Sequence, residues 1–214
     1  GLGWVTAEYS MLPRATADRT DRFNEDERWT CLLQKTLGEE YLVLEEGLSG
    51  RTTVFSDPLH ECMSGLDVIY STLMSHEPVD LLIIMLGTND CKTRYKASAS
   101  VIAKGLDQVI RKARQNASRH FDLLVISPIH LGVGVGDADF DPEFDAASVA
   151  VSRNLANEYR KIALQNHAAF LNASDFAAPS VTDREHMDEK GHAALADAIY
   201  NKILALQKGL SHVI

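Results

Sequence analysis

Two short, uninterrupted apolar runs constrain the fold of this chain more than any other feature. They are "DLLIIML" over residues 80–86 and "FDLLVISP" over residues 121–128. Runs of this length that do not alternate with polar positions, and that are bounded by polar or turn residues, are typical of strands buried on both faces. Such strands occur in parallel sheets that are covered by helices, so the sequence predicts an α/β protein.

The rest of the chain continues the same rhythm of strand and helix. We predict further strands at residues 41–46 and 167–174, and helices at roughly residues 25–37, 65–75, 101–118, 145–166 and 188–206. This alternation implies right-handed crossovers and a three-layer α/β/α sandwich. Because ligands bind beyond the carboxyl ends of the strands in such sheets, the loops that follow the strands are where chemistry is expected.

Composition narrows the class of protein. With 214 residues, of which 45% are hydrophobic and 24% charged, we predict one globular domain over residues 1–214. The net charge of −9 argues against a nucleic-acid partner, since phosphate binding needs a basic face.

The longest apolar run is too short to span a bilayer, so no membrane partner is expected. Cys31, Cys62 and Cys91 are widely spaced, which favours a reducing, cytoplasmic location over a disulfide framework or a zinc site.

The loop after the predicted strand at residues 41–46 reads "EEGLSGRT". Its two glycines, Gly47 and Gly50, allow the backbone to turn sharply and can leave the amide of Gly50 uncovered, so that it points at a ligand oxygen. The simpler interpretation is a tight turn between a strand and a loop.

The next loop follows a buried strand in "IIMLGTND". The side-chain amide of Asn89 would lie at the carboxyl edge of the sheet, where it could donate to a developing oxyanion. An Asx turn is the alternative for Asn89, and we interpret Asp90 as a helix or turn cap.

The segment "DREHMDEKGH" precedes the last predicted helix. Asp183 and His186 are three residues apart on one loop, so the Asp183 carboxylate could hold Nδ1 of His186 and leave Nε2 to accept a proton. The alternative is a solvated histidine just before a helix N-cap at Asp188. A metal site formed by His186, Asp188 and His192 is a weaker interpretation, and we predict no metal.

Taken in this order, the three segments resemble the second, third and fifth blocks of the SGNH, or GDSL-type, hydrolases. The closest resemblance is to the arylesterase and acyltransferase branch, in which a pair like Arg28-Trp29 also precedes the first helix. The resemblance implies a flavodoxin-like parallel sheet of about five strands. It also implies that Gly50 and Asn89 form the oxyanion hole, that His186 is the base and Asp183 its orienting acid, and that no metal or organic cofactor is needed.

The resemblance further implies a serine nucleophile in a Gly-Asp-Ser block after the first strand of the family. Gly-Asp-Ser does not occur in these 214 residues. Because the opening "GLGWV" resembles the sequence that follows this block, we expect the first strand and the nucleophile to lie outside the given sequence. Ser49, beside Gly50, is a weaker candidate for the nucleophile.

These residues predict a serine esterase that hydrolyses or transfers small acyl groups from esters. A carbohydrate acetylesterase of the same superfamily is the alternative among enzymes. A catalytically silent binding module, with an oxyanion pocket but no nucleophile, is the alternative from another class. A homo-oligomer is also expected, with the long acidic loop at residues 132–145 as a candidate contact.

Overall fold

The computed structural model describes residues 23–209, and its centre is a three-stranded parallel sheet. The strands are β1 (Leu81–Ile84), β2 (Asp122–Ser127) and β3 (Ala169–Asn172), in the order β1-β2-β3. Leu82, Ile83, Leu124 and Val125 are at most 1% exposed, which is the burial on both faces that the apolar runs predict. The α/β fold with a parallel sheet is therefore confirmed.

Five helices cover the two faces of this sheet. They are α1 (Trp29–Leu37), α2 (Gly65–His76), α3 (Ala99–Asn116), α4 (Ala146–Gln165) and α5 (Glu189–Gln207). One apolar cluster joins α2, α3 and α4 to one face, and a second joins α1 and α5 to the other. This is the predicted three-layer arrangement. Within residues 23–209, no helix combines the length and the apolar character that crossing a bilayer requires.

Local capping explains where several helices begin. The side chains of Ser64, Ser98 and Asp145 accept hydrogen bonds from backbone N–H groups in the first turns of α2, α3 and α4. Asp188 does the same for α5, where Oδ1 accepts from the Gly191 N–H at 2.8 Å, so the predicted N-cap is confirmed. Such caps satisfy backbone donors that have no partner inside the helix.

The strand prediction at residues 41–46 is wrong, because this segment forms no strand in the structure. Its backbone instead pairs with the side chain of Gln34 in α1. Gln34 Nε2 donates to the Tyr41 carbonyl at 3.0 Å, and Gln34 Oε1 accepts from the Val43 N–H at 2.7 Å. Backbone groups used in this way cannot join a ladder at the same positions. The likeness noted for residues 1–5 lies outside the described residues.

Candidate active site

The loop before α5 brings Asp183 and His186 together. His186 Nδ1 lies 2.8 Å from Asp183 Oδ2, and Asp183 Oδ1 accepts from the backbone N–H groups of Glu185 and His186, each at 3.0 Å. The hydroxyl of Ser180 donates to the same oxygen at 3.2 Å. A carboxylate acceptor at Nδ1 selects the tautomer with the proton on Nδ1, so Nε2 is the nitrogen that can accept a proton. His186 is therefore oriented by its contact with Asp183, while 26% of its side chain remains exposed.

The surroundings of Asp183 favour its charged form. Burial raises the pKa of Asp183, but the hydrogen bond and charge of His186, with the N–H groups of Glu185 and His186, outweigh burial and leave the pKa below its ordinary value. Hydrogen bonds to a carboxylate stabilise the ionised state in this way. Asp183 is thus ionised at neutral pH. An ionised carboxylate can orient an imidazole and balance its positive charge.

A second carboxyl group, Glu185, approaches the other nitrogen of the ring. Its Oε1 lies 3.8 Å from His186 Nε2, and its side chain is only 12% exposed. Burial raises the pKa of Glu185, and the charges of Asp141 and Asp183 add to this rise, while those of His186 and Lys92 oppose it. Sequence reasoning missed Glu185, because a residue next to a histidine on a loop can point in any direction.

Gly50 lies in a tight turn and has a positive backbone φ angle. Gly50 has φ +88°, which L side chains rarely adopt, and the Arg51 N–H donates to the Leu48 carbonyl at 3.0 Å. The Gly50 N–H itself donates to no backbone carbonyl within residues 23–209. The interpretations as a tight turn and as an oxyanion donor are therefore compatible at this position.

Asn89 lies against the same turn. It begins a short 3₁₀ helix, is 6% exposed, and donates from Nδ2 to the Arg51 carbonyl at 3.1 Å. The neighbouring Asp90 carboxylate is fully buried and accepts from both the N–H and the hydroxyl of Thr53. Asp90 therefore ties the two loops together, which is a longer-range role than the local cap that the sequence suggested.

The pKa of Asp90 reflects this buried position. Burial raises it to about 6, and the hydrogen bonds from Thr53 oppose the rise. Because the same carboxylate bonds to Thr53, three residues after Gly50, Asp90 connects the two segments that carry the predicted oxyanion donors.

A long loop at residues 131–145, here called the rim loop, contacts both halves of the candidate site. Near Asn89, the ammonium of Lys92 lies 2.6 Å from Glu143, and the Thr93 N–H donates to the Glu143 carbonyl at 2.8 Å. Near His186, the Gly132 N–H donates to the Arg184 carbonyl at 2.7 Å. The rim loop is thus anchored at both of its ends.

Comparison with known proteins decides the family. The model of the GDSL-like lipase/acylhydrolase family matches residues 13–194. The chain belongs to this family. This membership confirms the resemblance to SGNH, or GDSL-type, hydrolases, and it supports a hydrolase that acts on esters.

Solved structures of related esterases agree with this assignment. A carbohydrate acetylesterase from Sinorhizobium meliloti is 28% identical, with a TM-score of 0.89 over 96% of this chain and 100% of that chain. An aryl esterase from M. smegmatis is 27% identical, with a TM-score of 0.87 over 96% and 100%. A putative arylesterase from Agrobacterium tumefaciens is 26% identical, with a TM-score of 0.77 over 95% and 99%.

A separate similarity is confined to 22 residues. They are 96% identical to part of the ribonuclease PH of Bifidobacterium longum, and they make up 10% of this chain. The chain spans only 9% of the length of that curated relative. A match of this extent carries no argument about activity.

Two weaker candidates in this GDSL-like hydrolase are His192 as a metal ligand and Ser49 as the nucleophile. His192 is 1% exposed, its Nδ1 accepts from the Trp29 N–H at 3.4 Å, and its ring packs edge-on against Phe23 at 4.7 Å. Among residues 23–209, no group of three or more His, Cys, Asp or Glu side chains is arranged to hold a metal ion. Ser49 is exposed beside the Gly50 turn.

Proposed function

We propose that this hydrolase is a serine esterase that transfers small acyl groups from esters to water or to another alcohol through an acyl-enzyme. The observation that carries the proposal is the Asp183–His186 pair, in which the carboxylate holds Nδ1 and favours the tautomer whose Nε2 can accept a proton. Gly50 and Asn89, whose segments Asp90 connects, support the second requirement, which is a pair of N–H donors for an oxyanion.

In the proposed reaction, the serine hydroxyl gives its proton to His186 Nε2 while its oxygen attacks the ester carbonyl carbon. The carbonyl oxygen becomes negatively charged and accepts hydrogen bonds from the Gly50 N–H and the Asn89 side-chain amide. The bond to the leaving alcohol then breaks, and this alcohol takes the proton from His186. Water or a second alcohol repeats the sequence on the acyl-enzyme. Asp183 stays ionised and balances the charge of the imidazolium throughout.

The decisive experiment identifies the serine. The protein is labelled with a fluorophosphonate, the adduct is located by peptide mapping, and the intact mass of the same preparation is measured. We expect one labelled serine, and loss of labelling in His186→Ala. The peptide map shows whether that serine belongs to the given sequence, and the intact mass shows whether the protein exceeds the 23.6 kDa of this chain. No adduct on protein whose mass has been verified would favour the silent binding module.

The length of the acyl group is tested separately. We propose that the rim loop, which contacts the segments around Asn89 and His186, limits the room for the acyl group, so we expect p-nitrophenyl acetate to react faster than the butyrate and octanoate esters. Equal rates on the three esters would contradict a preference for short chains.

Glu185 favours one narrower candidate, a carbohydrate acetylesterase. A carboxyl group beside Nε2 can accept hydrogen bonds from the additional hydroxyls of a sugar leaving group, and phenol has no such additional hydroxyls. The 28% identity to a carbohydrate acetylesterase supports the same candidate. Rates on an acetylated sugar and on phenyl acetate are compared in wild type and in Glu185→Leu. We expect the substitution to slow the sugar ester more than phenyl acetate, because the aryl ester loses only the effect of Glu185 on the imidazolium; an equal loss on both esters would count against this candidate.

A further inference from the structure

Arg184 lies between Asp183 and His186 in a strained backbone conformation. Its φ is +61°, in the left-handed region. A side chain disfavours this region because its Cβ crowds the following carbonyl oxygen, and glycine is the usual occupant. An arginine here therefore requires contacts that hold it.

The rim loop supplies those contacts. The Gly132 N–H donates to the Arg184 carbonyl at 2.7 Å, and Arg184 Nη1 donates to the Val133 carbonyl at 2.9 Å. The same Nη1 lies 3.1 Å from Asp137 Oδ2, and the guanidinium stacks over the Phe140 ring at 4.1 Å. We refer to this set of contacts as the Arg184 clasp.

The clasp explains the "GVGVG" segment at residues 132–136, which is not a phosphate-binding loop. A Cβ added at Gly132 would lie 2.8 Å from Arg184 Cβ and 3.1 Å from its carbonyl oxygen. A Cβ added at Gly134, whose φ is +77°, would overlap Arg184 Nη1. These two glycines leave the room that the arginine fills.

We propose that Arg184 is a positioning residue, which fixes the Asp183–His186 loop against the rim loop. The other end of the rim loop is tied to Lys92 and Thr93, next to Asn89. The clasp thereby sets the distance between the proton-accepting imidazole and the oxyanion donors. Its catalytic consequence rests on the proposed esterase function, whereas the clasp itself can be measured without turnover.

The first test is amide hydrogen exchange on the intact protein. Arg184→Ala removes the side chain but keeps the unfavourable backbone conformation, so we expect at least about tenfold faster exchange at Gly132, Glu185 and His186. Exchange in β2 should not change. Arg111→Ala is the matched control, because Arg111 is exposed and pairs with Asp107 within α3. Rates in Arg184→Ala equal to those in Arg111→Ala would overturn the proposal.

A double-mutant cycle provides a second, independent readout. Gly134→Ala should accelerate the same three amides in the wild-type background. It should do so less in the Arg184→Ala background, where no guanidinium remains to be displaced. An equal acceleration of exchange by Gly134→Ala in both backgrounds would overturn the proposed contact. The backbone strain that Gly134→Ala introduces is common to both backgrounds, so it cancels in this comparison.

Kinetics then test positioning against a purely structural role. We expect kcat for p-nitrophenyl acetate to fall by about 10- to 100-fold in Arg184→Ala with little change in KM, since a misplaced base slows chemistry more than binding. Arg184→Lys, which retains a cation near Asp137, should restore part of kcat. Faster exchange with unchanged kcat would overturn the positioning role. If the wild-type protein shows no turnover, the proposed function fails, while exchange still decides the clasp.

Discussion

Glu185 Oε1 lies 3.8 Å from Nε2 of His186, while Asp183 Oδ2 lies 2.8 Å from Nδ1 of the same ring. The imidazole therefore lies between two carboxyl groups whose pKa values are shifted in opposite directions. Asp183 has a lowered pKa and is ionised, whereas burial raises the pKa of Glu185 and keeps its proton to higher pH. Glu185 therefore lies beside Nε2, the nitrogen that accepts the serine proton in the proposed reaction.

This relationship predicts a pH dependence that Glu185→Gln removes. Above its raised pKa, Glu185 is negative and stabilises the imidazolium that forms in the transition state; below it, the neutral acid does not. We therefore expect Glu185→Gln to lower kcat/KM more at high pH than at low pH. The measurement is the pH profile for p-nitrophenyl acetate. Glu189→Gln, at an exposed position in α5, is the control, and identical profiles for the two variants would refute the role of Glu185.

Loss of the base should abolish most of the proposed activity. His186→Ala is expected to lower kcat by about 100- to 10,000-fold, which is the usual contribution of a general base. Asp183→Asn should give a comparable loss, because an amide can stabilise the wrong tautomer of the imidazole. Esterase assays measure both variants beside His120→Ala, whose side chain is 85% exposed. Wild-type rates in His186→Ala would exclude this histidine as the base.

Removal of the Asn89 amide should affect chemistry more than binding. We expect Asn89→Ala to lower kcat by about 100- to 1,000-fold with a small change in KM, as for other oxyanion donors. Because Asn89 also donates to the Arg51 carbonyl, thermal unfolding is measured on the same samples. Asn201→Ala, an exposed residue of α5, serves as the control. A large rise in KM at constant kcat would argue for a binding role instead.

The buried His192 predicts how stability changes with pH. Burial, with the charge of His186, lowers its pKa to about 4, so the folded protein holds it neutral. The unfolded chain takes up a proton below its ordinary pKa of roughly 6.5, so this contribution to stability is present above that value and is lost as pH falls toward 4. Between about pH 7 and 5, the loss amounts to roughly 2 kcal/mol for this group.

Replacement of His192 by an apolar ring tests this prediction. The free energy of unfolding of wild type and of His192→Phe is measured by denaturant titration at a series of pH values. We expect the decline between neutral and mildly acidic pH to be smaller in the variant, whatever its absolute stability. Parallel curves would show that His192 does not change its protonation on unfolding.

Elements with local signals could be predicted from the amino-acid sequence. The apolar runs of β1 and β2 identify buried strands because burial on both faces leaves no polar position. Asp188 marks the start of α5 because an N-cap bonds within one turn. The Asp183–His186 pair was readable because both residues lie three positions apart on one loop.

Contacts between segments that are distant in sequence became visible in the folded protein. Residues 41–46 have a strand-like pattern, yet the Tyr41 carbonyl and the Val43 N–H bond to the side chain of Gln34. Asp90 reaches Thr53, and Arg184 reaches Val133 and Asp137, across stretches of 37 to 51 residues. No local pattern encodes these contacts. They arise because helix packing on the two faces of the sheet brings the loops at its carboxyl edge together, and so sets which side chains meet.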